Sequence, residues 1–80
     1  MKLLVFVVSD QVADATIDVL VEQGFGVTRL ASTGGFLRKG NTTLFVGVKE
    51  TAIEQANNAV QKTAPGALAI TLDLERYERL

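Results

Sequence analysis

Phe25-Gly26-Val27-Thr28-Arg29-Leu30 and Thr42-Thr43-Leu44-Phe45-Val46-Gly47-Val48 are the two segments whose reading decides the fold. The first alternates with Phe25, Val27 and Arg29 on one side and Thr28 and Leu30 on the other, a period of two that predicts a strand. The second is β-branched and aromatic, with Phe45 on the side opposite Leu44, Val46 and Val48. The linker Ala31-Ser32-Thr33-Gly34-Gly35-Phe36-Leu37-Arg38-Lys39-Gly40-Asn41 is rich in glycine and polar residues, so the pair is expected to be antiparallel with this loop as a hairpin tip.

Working outward, Lys2–Val8 is a short aliphatic run suited to a strand buried on both faces. Ser9 or Asp10 can cap a helix whose apolar positions are Val12, Ala13, Thr16, Ile17, Leu20 and Val21, with Gly24 placed to end it. Thr51 is the expected cap of a second helix running to about Lys62, lined by Ile53, Ala56, Ala59 and Val60 and closed by Pro65-Gly66. Leu68, Ile70, Leu72 and Leu74 alternate with Ala69, Thr71, Asp73 and Glu75 as a half-buried last strand. The order βαββαβ with right-handed crossovers is an α+β, ferredoxin-like arrangement: a four-stranded antiparallel sheet with two helices on one face.

Two helices cover one face of such a sheet, yet Leu3, Val5 and Val7 face opposite to Leu4, Phe6 and Val8, and Phe45 repeats the signal. A homo-oligomer that buries the open faces together is the expected solution. Eighty residues, 48% hydrophobic and without a Pro/Gly/Ser-rich linker, fit one domain spanning residues 1–80. A chain this short buries only roughly 60–65% of its unfolded surface, so association would also help its stability.

With no Cys and no His, disulfides, thiolate nucleophiles and zinc chemistry are excluded, and no metal site is expected. Asp10, Asp14, Asp18 and Glu22 share a helix face at four-residue spacing and read as a solvated acidic ridge. The apolar start of the chain stops at Ser9-Asp10, so neither a signal peptide nor a membrane span is expected, and a cytoplasmic location follows. Catalysis is not expected, because no carboxylate lies in the glycine loop and neither Lys39 nor Tyr77 has a visible partner.

The net charge is −1, but from Gln23 to Lys49 the chain carries Arg29, Arg38, Lys39 and Lys49 and no acidic residue. Local positive charge around paired glycines suits a small anionic ligand rather than a nucleic acid, which needs more phosphate contacts than one short basic stretch provides. Gly34 and Gly35 let backbone N–H groups approach phosphate oxygens, and Arg38 and Lys39 can reach them. Phe36 can stack on a base or pack against a neighbouring subunit. The Asn41 amide can pair with the N6/N7 edge of adenine or form a local turn, Thr28 offers a hydroxyl, and Gly47 leaves room for a planar group between strands.

Taken together, Thr28 through Thr43 followed by Val46-Gly47-Val48 resembles the signature of the PII-like cyclic di-AMP receptor family. The resemblance implies a trimeric signal-transduction protein of ferredoxin-like fold, with the second messenger at subunit interfaces and mobile loops that report occupancy to a downstream protein. At matching positions it implies that Thr28 and Asn41 bond the adenine, that Phe36 walls in a base, and that Gly35, Leu37 and Gly47 shape the pocket; Gly34 and Arg38 belong to the same motif. This sequence departs from the family pattern in two places. Gly26 stands where a basic residue is usual, and Thr63–Gly66 replaces a long connection, so the ligand is expected to be cyclic di-AMP or a related adenine nucleotide. The competing reading is a non-catalytic oligomeric interaction protein with a vestigial nucleotide site. A trimeric metal-handling protein of similar fold is disfavoured by the absence of His and Cys.

Overall fold

The computed structural model describes residues 1–30, 40–76 and 78. In chain order the elements are β1 (Lys2–Ser9), α1 (Asp10–Glu22), β2 (Val27–Leu30), β3 (Asn41–Val48), a 3-10 turn (Glu50–Ala52), α2 (Ile53–Thr63) and β4 (Leu68–Asp73). The four strands form one sheet in the order β2-β3-β1-β4, every neighbouring pair antiparallel. This is the ferredoxin-like arrangement that the periodicity implies.

Alternation sets the core. Leu4, Phe6 and Val8 of β1 and Leu44, Val46 and Val48 of β3 are buried against Ala13 and Leu20 of α1 and Ala56, Ala59 and Val60 of α2. The alanines let the helices approach closely, and the buried Thr16 hydroxyl is satisfied by donating to the Val12 carbonyl at 2.8 Å.

Helix α1 is bounded by local chemistry. The Ser9 hydroxyl accepts from the Gln11 N–H at 3.3 Å, which selects Ser9 over Asp10 as the cap. At the other end Gly24 has φ +91, its N–H donates to Val21 and the Phe25 N–H donates to Leu20 at 3.0 Å. That is a Schellman closure, whose left-handed position favours glycine because it has no Cβ, and Phe25 packs back onto the core.

Four expectations need correction. Thr51 does not cap α2; it lies inside the 3-10 turn, and Ala52 precedes the helix without a side-chain cap. The second strand begins at Val27 rather than Phe25, because Gly24 and Phe25 are spent on closing α1. Val21, assigned to the apolar helix face, is 55% exposed. Strand β4 is not half-buried: all six of its residues are exposed, as it forms the sheet edge and α2 leaves a cleft of about 350 Å³ lined by Phe6, Asn57, Val60 and Ala69.

The acidic ridge is also more than a solvated face. Asp14 receives a hydrogen bond from Arg29 Nη2 at 2.7 Å, and Asp10 accepts from the Thr42 hydroxyl at 2.5 Å while its own N–H donates to the Gly40 carbonyl. These bonds tie α1 to both strands that lead into and out of residues 31–39. Thr42 is 8% exposed and Asp10 is exposed, so Thr42→Val loses one charge-assisted bond whose carboxylate water can resolvate, and is expected to cost about 1 kcal/mol, read as a lowered chemical-denaturation midpoint with an unchanged slope. At the far edge Lys2 bonds Asp73, which raises the lysine pKa, lowers that of the carboxyl and clasps β1 to β4.

Candidate functional site

Residues directly opposite one another in a sheet share a face. The register pairs Thr28 with Phe45, Leu30 with Thr43, Val7 with Thr43 and Ser9 with Asn41. Asn41, Thr43, Phe45 and Gly47 therefore stand with Thr28 and Leu30 on the open face of the sheet, away from the helices. Three of the residues expected to form a ligand site, Thr28, Asn41 and Gly47, lie on this one surface. Gly34, Gly35, Phe36, Leu37 and Arg38 lie outside the described residues.

The same face is strongly apolar. Leu3, Val5 and Val7 are half-buried on it, and Leu68, Ile70 and Leu72 of β4 are 56%, 42% and 48% exposed beside them. Its polar end is at Asn41, where Gly40 takes φ +95 to turn the chain into β3. Asn41 also borders a cleft of about 480 Å³ formed with Ser9, Gln11, Val12 and the Ala64–Leu68 connection.

Thr28 and Asn41 are not side by side. Thr28 opposes Phe45, four residues along β3 from Asn41, which is about 13 Å at the ordinary rise of a strand. Within a single chain one purine cannot touch both. Thr43 occupies the middle of that span. It is 5% exposed, and its hydroxyl has no hydrogen-bond partner among the described residues.

Electrostatics depart from the sequence expectation at one residue. Arg29 belongs to the helix side of β2, where its guanidinium bonds Asp14, so its charge is turned away from the open face. Lys49 follows β3 at the end opposite Asn41. Arg38 and Lys39, the other two basic residues of the stretch, lie outside the described residues. No helix among the described residues is long and apolar enough to cross a membrane.

The sequence reading missed Thr43 and the Asp10–Thr42 anchor. Period-two alternation was the available signal for Thr43, since it puts Asn41 and Thr43 on one face and Thr42 on the other. Nothing local could reveal Asp10 as the partner of Thr42, thirty-two residues away.

A family model described as cyclic-di-AMP receptor matches residues 1–77. Among solved structures, the crystal structure of a functionally unknown protein from Pediococcus pentosaceus ATCC 25745 superposes with a TM-score of 0.85 at 27% sequence identity, covering 99% of this chain and 96% of that one.

Proposed function

Because the chain belongs to the cyclic-di-AMP receptor family, we propose that it binds cyclic di-AMP between subunits of a homotrimer and signals through ordering of the loop between β2 and β3. The observation that carries this reading is the shared placement of Thr28, Asn41 and Gly47 on an open, apolar sheet face. A face that must be covered by another copy brings the ligand-facing residues of one chain against a neighbour, so an occupied site would lie at the interface. Ligand energy spent on ordering the Gly34-Gly35-Phe36-Leu37-Arg38 segment would change the surface that a downstream protein reads, in a cytoplasmic, non-catalytic receptor.

Isothermal titration with cyclic di-AMP, ATP and AMP tests the reading. Binding of cyclic di-AMP at least about tenfold tighter than either mononucleotide is expected, and no heat with any of the three overturns it. A vestigial site in an interaction protein gives that second result.

Gly26 offers a gain-of-function check. A Cβ added there meets nothing within 4 Å, and Gly26 is not among the glycines with positive φ, so a side chain fits. Gly26 lies just before β2, two residues from Thr28. Gly26→Arg is expected to tighten cyclic di-AMP binding about tenfold through a charge-assisted bond to phosphate, with the gain shrinking as salt rises. Unchanged affinity would mean that no phosphate lies on that side of the site.

A further inference from the structure

Thr43 is the buried polar group on the open face that the fold itself leaves unexplained. A buried hydroxyl without a partner is costly, and a strand that needed only packing at this position would carry valine, which has the same shape. The two neighbouring threonine positions differ in kind. Thr42 faces the helices and spends its hydroxyl on Asp10, whereas Thr43 faces away from them, between Val7 and Leu30, with its hydroxyl shielded from solvent.

We propose that Thr43 is a ligand-contacting residue that donates its hydroxyl to a ring nitrogen of the purine held by Asn41. The inference rests on the cyclic di-AMP reading and deepens it by adding a contact at the centre of the site. Three observations support it. Asn41 and Thr43 are consecutive residues on the same face, about 7 Å apart, which is within the reach of one bicyclic base. The cross-strand neighbours of Thr43 are the aliphatic residues Val7 and Leu30, and its same-face neighbours along β3 are Asn41 and Phe45, a setting that suits a flat neutral base better than a phosphate. Leu30 is 36% exposed at the end of β2, so it is the neighbour placed to turn aside and admit the ring.

A contact of this kind separates stability from affinity. Thr43→Val removes an unsatisfied buried hydroxyl without changing shape, so the ligand-free protein is expected to melt about 4 °C higher or more. The same substitution takes a hydrogen bond from the bound state, and cyclic di-AMP affinity is expected to fall about tenfold. Thr43→Ser, which keeps the hydroxyl, is expected to bind within about threefold of the unsubstituted protein. A hydroxyl with a purely structural role would instead lower stability when removed and leave affinity alone.

The experiment is titration calorimetry with cyclic di-AMP together with thermal melting and light scattering on the full chain and the Thr43→Val and Thr43→Ser variants. If valine is not accommodated, Thr43→Ala supplies the affinity readout. Weakened binding by the valine or alanine variant, restored in the serine variant with the assembly state unchanged, supports the proposal. Full-strength binding by the valine variant overturns it while leaving the receptor reading intact. Loss of assembly in that variant also overturns it, by assigning the hydroxyl to the subunit interface. Failure of the unsubstituted protein to take up cyclic di-AMP defeats both.

Discussion

Ile70→Asp is expected to turn the proposed trimer into a folded monomer. Ile70 pairs with Val5 at the middle of β4 and is 42% exposed in the single chain, so a carboxylate there remains hydrated until a second copy tries to cover it. The fold of the single chain loses little, because its core lies on the other face with Leu4, Phe6, Leu44 and Val46. Assembly loses a great deal. Each copy gives up part of the roughly 1.5–3 kcal/mol that burying an isoleucine contributes, and it must also desolvate an unpaired charge at several kcal/mol. Because a closed trimer repeats the lesion in every subunit, association is expected to weaken by more than about a thousandfold. Sedimentation would then report the 8.6 kDa chain alone, with helical circular dichroism retained. A variant that still sediments at about three times that mass would place the interface elsewhere. The monomer is also expected to lose cyclic di-AMP, since the proposed site is completed by a neighbour.

Asn41→Ala gives the second large effect, and it acts on the ligand alone. Asn41 begins β3 on the open face and is half-buried, with its backbone paired to Ser9. Alanine preserves that pairing and leaves the Gly40 carbonyl free to go on accepting from Asp10, so fold and assembly should be unchanged. What disappears is a side chain able to donate and accept at once along the adenine edge, which is worth about 1–3 kcal/mol of recognition. Cyclic di-AMP affinity is therefore expected to drop by roughly 10- to 100-fold in titration calorimetry with the melting curve of the free protein unmoved. Equal affinity in the variant would remove Asn41 from the site and favour the interaction-protein reading.

The elements of the fold could be read in the sequence because each was signalled locally. Alternation in Leu3–Val8 and Leu44–Val48 defined two-faced strands, and Gly24 marked the end of α1 because a Schellman closure needs a left-handed residue. Features set by partners distant in sequence could not be read in this way. Asp10 and Asp14 looked like any exposed helix carboxylates until the fold brought Thr42 and Arg29 beside them. Thr51 resembled a cap, yet the chain tightens into a 3-10 turn after Lys49 and enters α2 without one. The last strand's pattern grouped Leu68, Ile70 and Leu72 on one face, but it could not say that this face turns away from the helices and is exposed in the single chain.

For the proposed site, the motif points to Thr28, Asn41 and Gly47, and sheet register places all three on one face. The register also imposes a distance that the motif does not contain, separating Thr28 from Asn41 by four residues of β3. Arg29 counted in the sequence as part of the local positive charge, yet strand alternation commits it to the helix layer. Charge totals along a segment therefore overstate what a ligand on the open face would meet.

In the proposed receptor, one apolar sheet face serves both assembly and nucleotide capture. Native mass spectrometry of the protein with cyclic di-AMP across a dilution series measures both at once. The expected result is nucleotide carried by trimers, up to one per subunit interface, and bare monomers appearing together with ligand loss on dilution. Monomers that hold cyclic di-AMP as well as the assembled form does would contradict it.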